Sequence, residues 1–159
     1  MPATRALRKV PGFTLVELLV VMVIVGVTLG LASLNAIPSP RQDLQNEAQR
    51  IALLLQLARD EAIVRNRLVA FEANPERYRF IVRNENSWDP VTRDDLLRER
   101  TFKNAPLQLL LEPSPTGGTD VLRITFGREP VDKPFVLTLA KGADSVSIRA
   151  DGVGHFTVE

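Results

Sequence analysis

Gly12-Phe13-Thr14-Leu15-Val16-Glu17-Leu18-Leu19-Val20-Val21-Met22-Val23-Ile24-Val25-Gly26 opens an apolar run that carries one acid near its start and follows the basic leader Lys9-Val10-Pro11. The apolar positions continue to Leu34. A helix over residues 13–34 rises about 33 Å at about 1.5 Å per residue, enough to match a hydrocarbon core of about 30 Å. The acid is the anomaly. A charged carboxylate in such a span costs roughly 2.5–3.5 kcal/mol at its centre and less near an end, so something should offset Glu17.

Arg5, Arg8 and Lys9 precede the run with no acid among the first twelve residues. The positive-inside rule therefore keeps the leader cytoplasmic and sends the rest of the chain across the membrane. A secretory signal peptide is the rival reading. Such signals have an apolar core of about 7–15 residues and an A-x-A-like exit, whereas this run is longer, contains Glu17, and leaves through Ala32-Ser33-Leu34-Asn35-Ala36.

The 159 residues are 45% hydrophobic and 25% charged, which excludes a wholly disordered chain and a multi-spanning one. Cysteine is absent, which excludes disulfides, thiolate metal sites and a cysteine nucleophile. The roughly 120 residues beyond the span suffice for one core without covalent staples. The formal charge of +1 becomes −2 once Arg5, Arg8 and Lys9 are removed with the leader, so no basic footprint for nucleic acid remains.

Asn35-Ala36-Ile37-Pro38-Ser39-Pro40 interrupts the helix, because proline lacks an amide donor and disfavours helix in the residue before it. A kink or short linker is expected there. Helix resumes near Arg41 and runs to about Arg65, with Leu44, Ala48, Ile51, Leu55, Ala58 and Ala62 on one stripe. Asp43, Glu47, Arg50, Gln56, Arg59 and Asp60 read as solvated polar flanks, and Glu61 with Arg65 as a surface i, i+4 pair. The stripe should pack on a β-sheet made by the rest of the chain.

After Asn66 the period becomes strand-like. Residues 68–73 and 78–83 should form a hairpin around Asn74-Pro75-Glu76-Arg77. Further strands are expected at 97–103, 107–112, 121–126, 135–140, 145–150 and 153–158, about eight in all. Leu122, Ile124 and Phe126 share one face, as do Val146 and Ile148. Asp151-Gly152 signals a tight final hairpin. Residues 84–95 and 113–120 read as polar linkers without regular structure. The organisation is thus a leader 1–12, a membrane and assembly helix 13–34, a kink and amphipathic helix 35–67, and a β domain 68–159.

Few residues suggest chemistry. His155 stands four residues after Asp151, but no serine lies in a nucleophile context, so an ordinary strand residue is the better reading. One histidine without cysteine does not make a typical zinc site. Asn84, Glu85, Asn86, Ser87, Asp89, Asp94 and Asp95 crowd oxygen ligands into one loop without calcium-loop spacing, which favours a solvated loop. Gly117-Gly118 and Gly127 lack a following lysine in phosphate-loop spacing. Trp88 is either a partner anchor or an aromatic lid on the core. Nothing calls for a cofactor.

Glu17 has a nameable compensator. Cleavage between Gly12 and Phe13 would expose an α-amine with a pKa near 8, cationic at neutral pH. That amine lies one helical turn from its own Glu17, or reaches the Glu17 of a neighbouring helix, and such a pair is stronger at low dielectric than at a surface. The competing reading leaves Glu17 solvated or protonated at the headgroup boundary.

Gly12-Phe13-Thr14-Leu15-Val16-Glu17 in a basic-then-apolar N-terminus resembles the class III signal of type IV pilins and type II secretion pseudopilins. Residues 44–67, especially Leu57-Ala58-Arg59-Asp60-Glu61-Ala62-Ile63, resemble the minor pseudopilin H group. The resemblance implies an α+β, pilin-like fold: a transmembrane helix continuing into an amphipathic helix packed on a two-sheet antiparallel β domain. It implies cleavage by prepilin peptidase after Gly12, N-methylation of Phe13, and a role for Glu17 in assembly. It also implies an inner-membrane anchor, a periplasmic head, no active site, and as partners the I, J and K subunits and the major pseudopilin near the pseudopilus tip.

Pro38 and Pro40 depart from the long continuous helix of major subunits. The missing calcium-loop spacing argues against a major pseudopilin, and the missing C-terminal cysteine pair against an ordinary pilin. A minor type IV pilin that primes pilus assembly, and a signal-anchored periplasmic binding module with Glu17 incidental, stand as alternatives. An enzyme is disfavoured for want of a convergent acid, base and nucleophile set.

Overall fold

The computed structural model describes residues 13–34, 39–92, 94–114 and 121–159, without the side chains of 32–34. The chain divides into two compact units, residues 1–38 and 39–159. In the first, helix α1 runs from Leu15 to Leu34. The expected kink at residues 35–38 lies outside the described residues.

In the second unit, helix α2 spans Pro40–Val64. Ser39 is its N-cap, and its hydroxyl accepts the Gln42 amide at 3.2 Å. Pro40 occupies the first turn, where its missing amide costs no hydrogen bond. It therefore opens this helix rather than interrupting it. All six residues of the expected stripe, Leu44, Ala48, Ile51, Leu55, Ala58 and Ala62, are buried. Alanines at three of those positions let the backbone approach the sheets closely, while each buried Leu or Ile contributes about 1.5–3 kcal/mol.

Nine strands follow among the described residues: β1 Val69–Ala73, β2 Arg77–Asn84, β3 Ser87–Pro90, β4 Arg100–Thr101, β5 Gln108–Glu112, β6 Leu122–Phe126, β7 Phe135–Lys141, β8 Asp144–Ala150 and β9 Phe156–Val158. They form two antiparallel sheets. The first has the order β3-β2-β1-β6 with β4 also on β2, and the second β5-β7-β8-β9. Helix α2 packs against β1 and β6 of the first sheet and β7, β8 and β9 of the second, so its one stripe serves both. The α+β expectation of a helix on two antiparallel sheets holds. Phe71, Tyr78, Phe80 and Phe102 interlock at ring separations of 5.1–6.5 Å, and Leu137, Leu139, Val146 and Ile148 close the core from the other sheet.

The hairpin at Asn74 forms as the sequence predicts, with the Asn74 side-chain oxygen accepting the amides of Glu76 and Arg77 at 2.9 and 2.8 Å. Three expectations need correction. Residues 84–95 are not an unstructured linker, because Glu85 adopts a left-handed φ of 46° and turns the chain back into β3. The strand expected over 97–103 shrinks to Arg100–Thr101, since the Asp94 carboxylate holds the amides of Leu96 and Leu97 in a bend. The final pair is not a tight two-residue hairpin. Asp151 accepts the amides of Val153, Gly154 and His155 on one oxygen, at 2.8–3.1 Å, and this builds a longer loop before β9. His155 consequently lies in that loop and not in a strand.

Candidate functional site

Phe13 is 81% exposed at the start of the described chain. Thr14 caps α1: its hydroxyl accepts the Glu17 amide at 3.2 Å, and its carbonyl accepts the Leu18 amide at 3.2 Å. Threonine at the cap with glutamate three residues on is a recognisable helix-start pattern, so Glu17 stands where the positive end of the helix dipole favours an acid. The sequence reading weighed Glu17 as a charge answered by a freed Phe13 amine or by solvent, and did not weigh its place at a capped helix start. The spacing Thr14-x-x-Glu17 was the available signal for its second role.

Among the described residues, the Glu17 carboxylate has no hydrogen-bond or ion-pair partner. Gly12, the other half of the expected cleavage bond, lies outside them. Every described side chain of α1 is exposed, leaving a rod of Leu, Val, Ile and Met without protein cover; such a surface calls for lipid or other helices. Thr28 suits an apolar surrounding because its hydroxyl bonds back to the carbonyls of Ile24 and Val25 at 2.8 and 3.0 Å. At 20 residues α1 rises about 30 Å. Among the described residues, whose side chains in α1 end at Leu31, no helix is long and apolar enough to cross a membrane.

The other candidates fall to structural roles. His155 Nδ1 lies 2.6 Å from Asp151 Oδ2, and that contact, opposed by burial and helped by the backbone amides of His155 and Val153, holds the Asp151 carboxyl down at about 2. The pair is exposed and ties its own loop. The oxygen-rich loop is partly used internally, since Asn84 Nδ2 donates to Asp89 Oδ2 at 2.7 Å. Among the described residues no three acidic or histidine side chains are grouped to hold a metal ion.

Two flank residues are not solvated as the sequence suggested. Glu47 is buried beside Arg50, 2.9 Å away, and Arg50 donates to the Tyr78 hydroxyl at 3.3 Å. Burial pushes the Glu47 carboxyl up despite the nearby guanidinium. Arg59 is buried as well and donates to the Pro130 carbonyl. The sequence reading also missed Glu72, buried on β1 between Arg79 and Arg123.

Residues 47–154 match the family model described as type II transport protein GspH, and residues 7–33 match the prokaryotic N-terminal methylation motif. The chain is 34% identical to the type II secretion system protein H of Pseudomonas aeruginosa, over 92% of this chain and 94% of that one. In fold it resembles the minor pseudopilin EpsH of the Vibrio cholerae type 2 secretion system, with a TM-score of 0.57 at 18% identity, covering 74% of this chain and 96% of that one. It likewise resembles the solution structure of Escherichia coli GspH, with a TM-score of 0.56 at 18% identity and coverages of 77% and 95%.

Proposed function

Because the chain belongs to the type II transport protein GspH family, we propose that it is a minor pseudopilin of a type II secretion system, a structural subunit that assembles with other pseudopilins into the pseudopilus. The observation that carries the reading is a capped, largely apolar helix whose first turn holds its one charged residue, Glu17, within the span that the methylation motif matches.

In this reading prepilin peptidase hydrolyses the Gly12–Phe13 peptide bond. The leader leaves with the Gly12 carboxylate, and the freed Phe13 amine takes a methyl group from a sulfonium donor, which departs as a thioether while the amine gives up a proton. The amine is cationic near neutral pH and sits at the positive end of the helix dipole, where it is disfavoured. A carboxylate one turn away answers both charges. Before assembly α1 anchors the subunit in the inner membrane with residues 39–159 in the periplasm. During assembly it leaves lipid for the apolar helices of its neighbours, and a paired Glu17 crosses that medium at lower cost than a lone one. The position near the pseudopilus tip, with the I, J and K subunits, belongs to the same proposal.

Co-purification tests it. From membranes of cells producing the I, J and K subunits, the wild-type chain should recover them. Glu17→Ala should be cleaved normally and recover far less. A wild-type chain that brings down none of them under conditions where they recover one another contradicts the reading.

A further inference from the structure

The face of the first sheet turned away from α2 carries an organised set of charges that the anchor and core do not use. Glu72 on β1 lies opposite Arg79 on β2 and Arg123 on β6. Its two oxygens accept from both, Arg79 Nε at 2.8 Å and Arg123 Nε at 2.9 Å. Arg123 then reaches Trp88 on β3, its guanidinium carbon 5.4 Å from the ring centre, and Arg83, paired with Trp88 across the strands, lies 5.5 Å from the same ring. Beneath them Ala70 and Ile81 are buried. Trp88 thus roofs the outer side of this sheet, between two arginines that it holds in place.

Three guanidiniums face one carboxylate here, so the patch is cationic. Residues 39–159 as a whole carry 17 basic and 18 acidic side chains, so the arginines mark a local surface within a near-neutral unit. Nucleic acid and anionic membrane require a broad basic face. Guanidinium forks suit carboxylates at defined positions, and Trp with Arg is the composition of interface hot spots. Arginines already held by Glu72 and Trp88 lose little side-chain freedom on binding.

We propose that the Arg79–Arg83–Trp88–Arg123 face docks an acidic surface segment of another protein subunit, its carboxylates engaging the guanidiniums around Trp88. That the partner is a subunit rests on the pseudopilin reading; the surface and its charge preference do not.

The test uses the full chain in membranes with the I, J and K subunits co-produced, and a photo-crosslinking amino acid at Thr125, exposed on the same face. A second chain carries it at Gln56, exposed on α2. We expect a Thr125 adduct mapped to an Asp/Glu-rich segment of a co-produced subunit. Arg83→Glu should lower its yield about tenfold, and lysines in the trapped segment should restore it. Trp88→Ala should also lower it. Should that variant melt early, the unmodified chain still answers, because raising NaCl from about 0.05 to 0.5 M should weaken an ionic contact. An adduct with phospholipid only, a protein adduct indifferent to Arg83→Glu and to salt, or none at Thr125 while Gln56 crosslinks to subunits overturns the proposal. Loss of both adducts counts against the assembly reading instead.

Discussion

The Thr14 hydroxyl accepts the Glu17 backbone amide at 3.2 Å, which sets the Glu17 carboxylate in the first turn of α1, at the positive end of the helix dipole and one turn from a freed Phe13 amine. Glutamine supports a helix start about as glutamate does but carries no charge. Glu17→Gln should therefore match Glu17→Ala in failing to recover partner subunits if pairing is the use that matters. Recovery by Glu17→Gln at wild-type level would show that the charge of Glu17 is not needed for assembly.

The final loop should be intolerant of a side chain at Gly152. This glycine has φ +84°, and an added Cβ would run into the Asp132 carbonyl. At Gly154, φ +113°, an added Cβ would come 2.6 Å from Arg59 Nη1, a side-chain end rather than backbone. Gly142 also has positive φ, +61°, but open space around it. Gly142→Ala should cost about 1 kcal/mol, from backbone strain alone, and Gly152→Ala about 2–4 kcal/mol. Urea unfolding of the two variants checks the ranking; equal losses would mean that the close approach of Asp132 is unimportant.

Helix α2 gives a second contrast. Leu55 is fully buried and Leu53 is 68% exposed two positions earlier. Leu55→Ala should cost about 2–5 kcal/mol and Leu53→Ala under about 0.5 kcal/mol in thermal or chemical unfolding.

Stability should fall in acid partly through Glu72. Burial alone would raise its carboxyl, but the hydrogen bonds from Arg123 and Arg79 outweigh burial and hold it below the ordinary 4.5. A carboxyl depressed by folding stabilises the fold above its unfolded pKa, and that contribution is lost as pH falls through the lower, folded value. Glu47, raised by burial, acts in the opposite sense. Glu72→Gln should thus lower stability at pH 7 and flatten the decline below about pH 4.5. An unchanged slope would show that the two arginines do not hold the carboxylate.

The helices were the most legible part of the sequence, because one apolar residue every three or four positions has few other solutions. Six of six stripe residues are buried, and the alternation in β6 and β8 set their inner faces. Polar groups were harder to read. Glu47, Arg59 and Glu72 are buried by what lies opposite them, which depends on strand order and register rather than on local pattern. β3 was hidden because its turn uses Glu85 in a left-handed conformation, a state usually announced by glycine or asparagine. The Asp-Gly signal was overridden by Asp151, whose carboxylate gathers three amides and lengthens the loop. At the candidate site the residues Phe13 and Glu17 stood out at once, whereas the cap from Thr14 needed the geometry.

The most direct measurement is the mass and N-terminal residue of the chain isolated from a cell envelope that contains prepilin peptidase. The account predicts a chain lacking residues 1–12 that begins with N-methylated Phe13, and no such product from Gly12→Val. A native chain that keeps its basic leader, or that begins beyond Ala36, contradicts it.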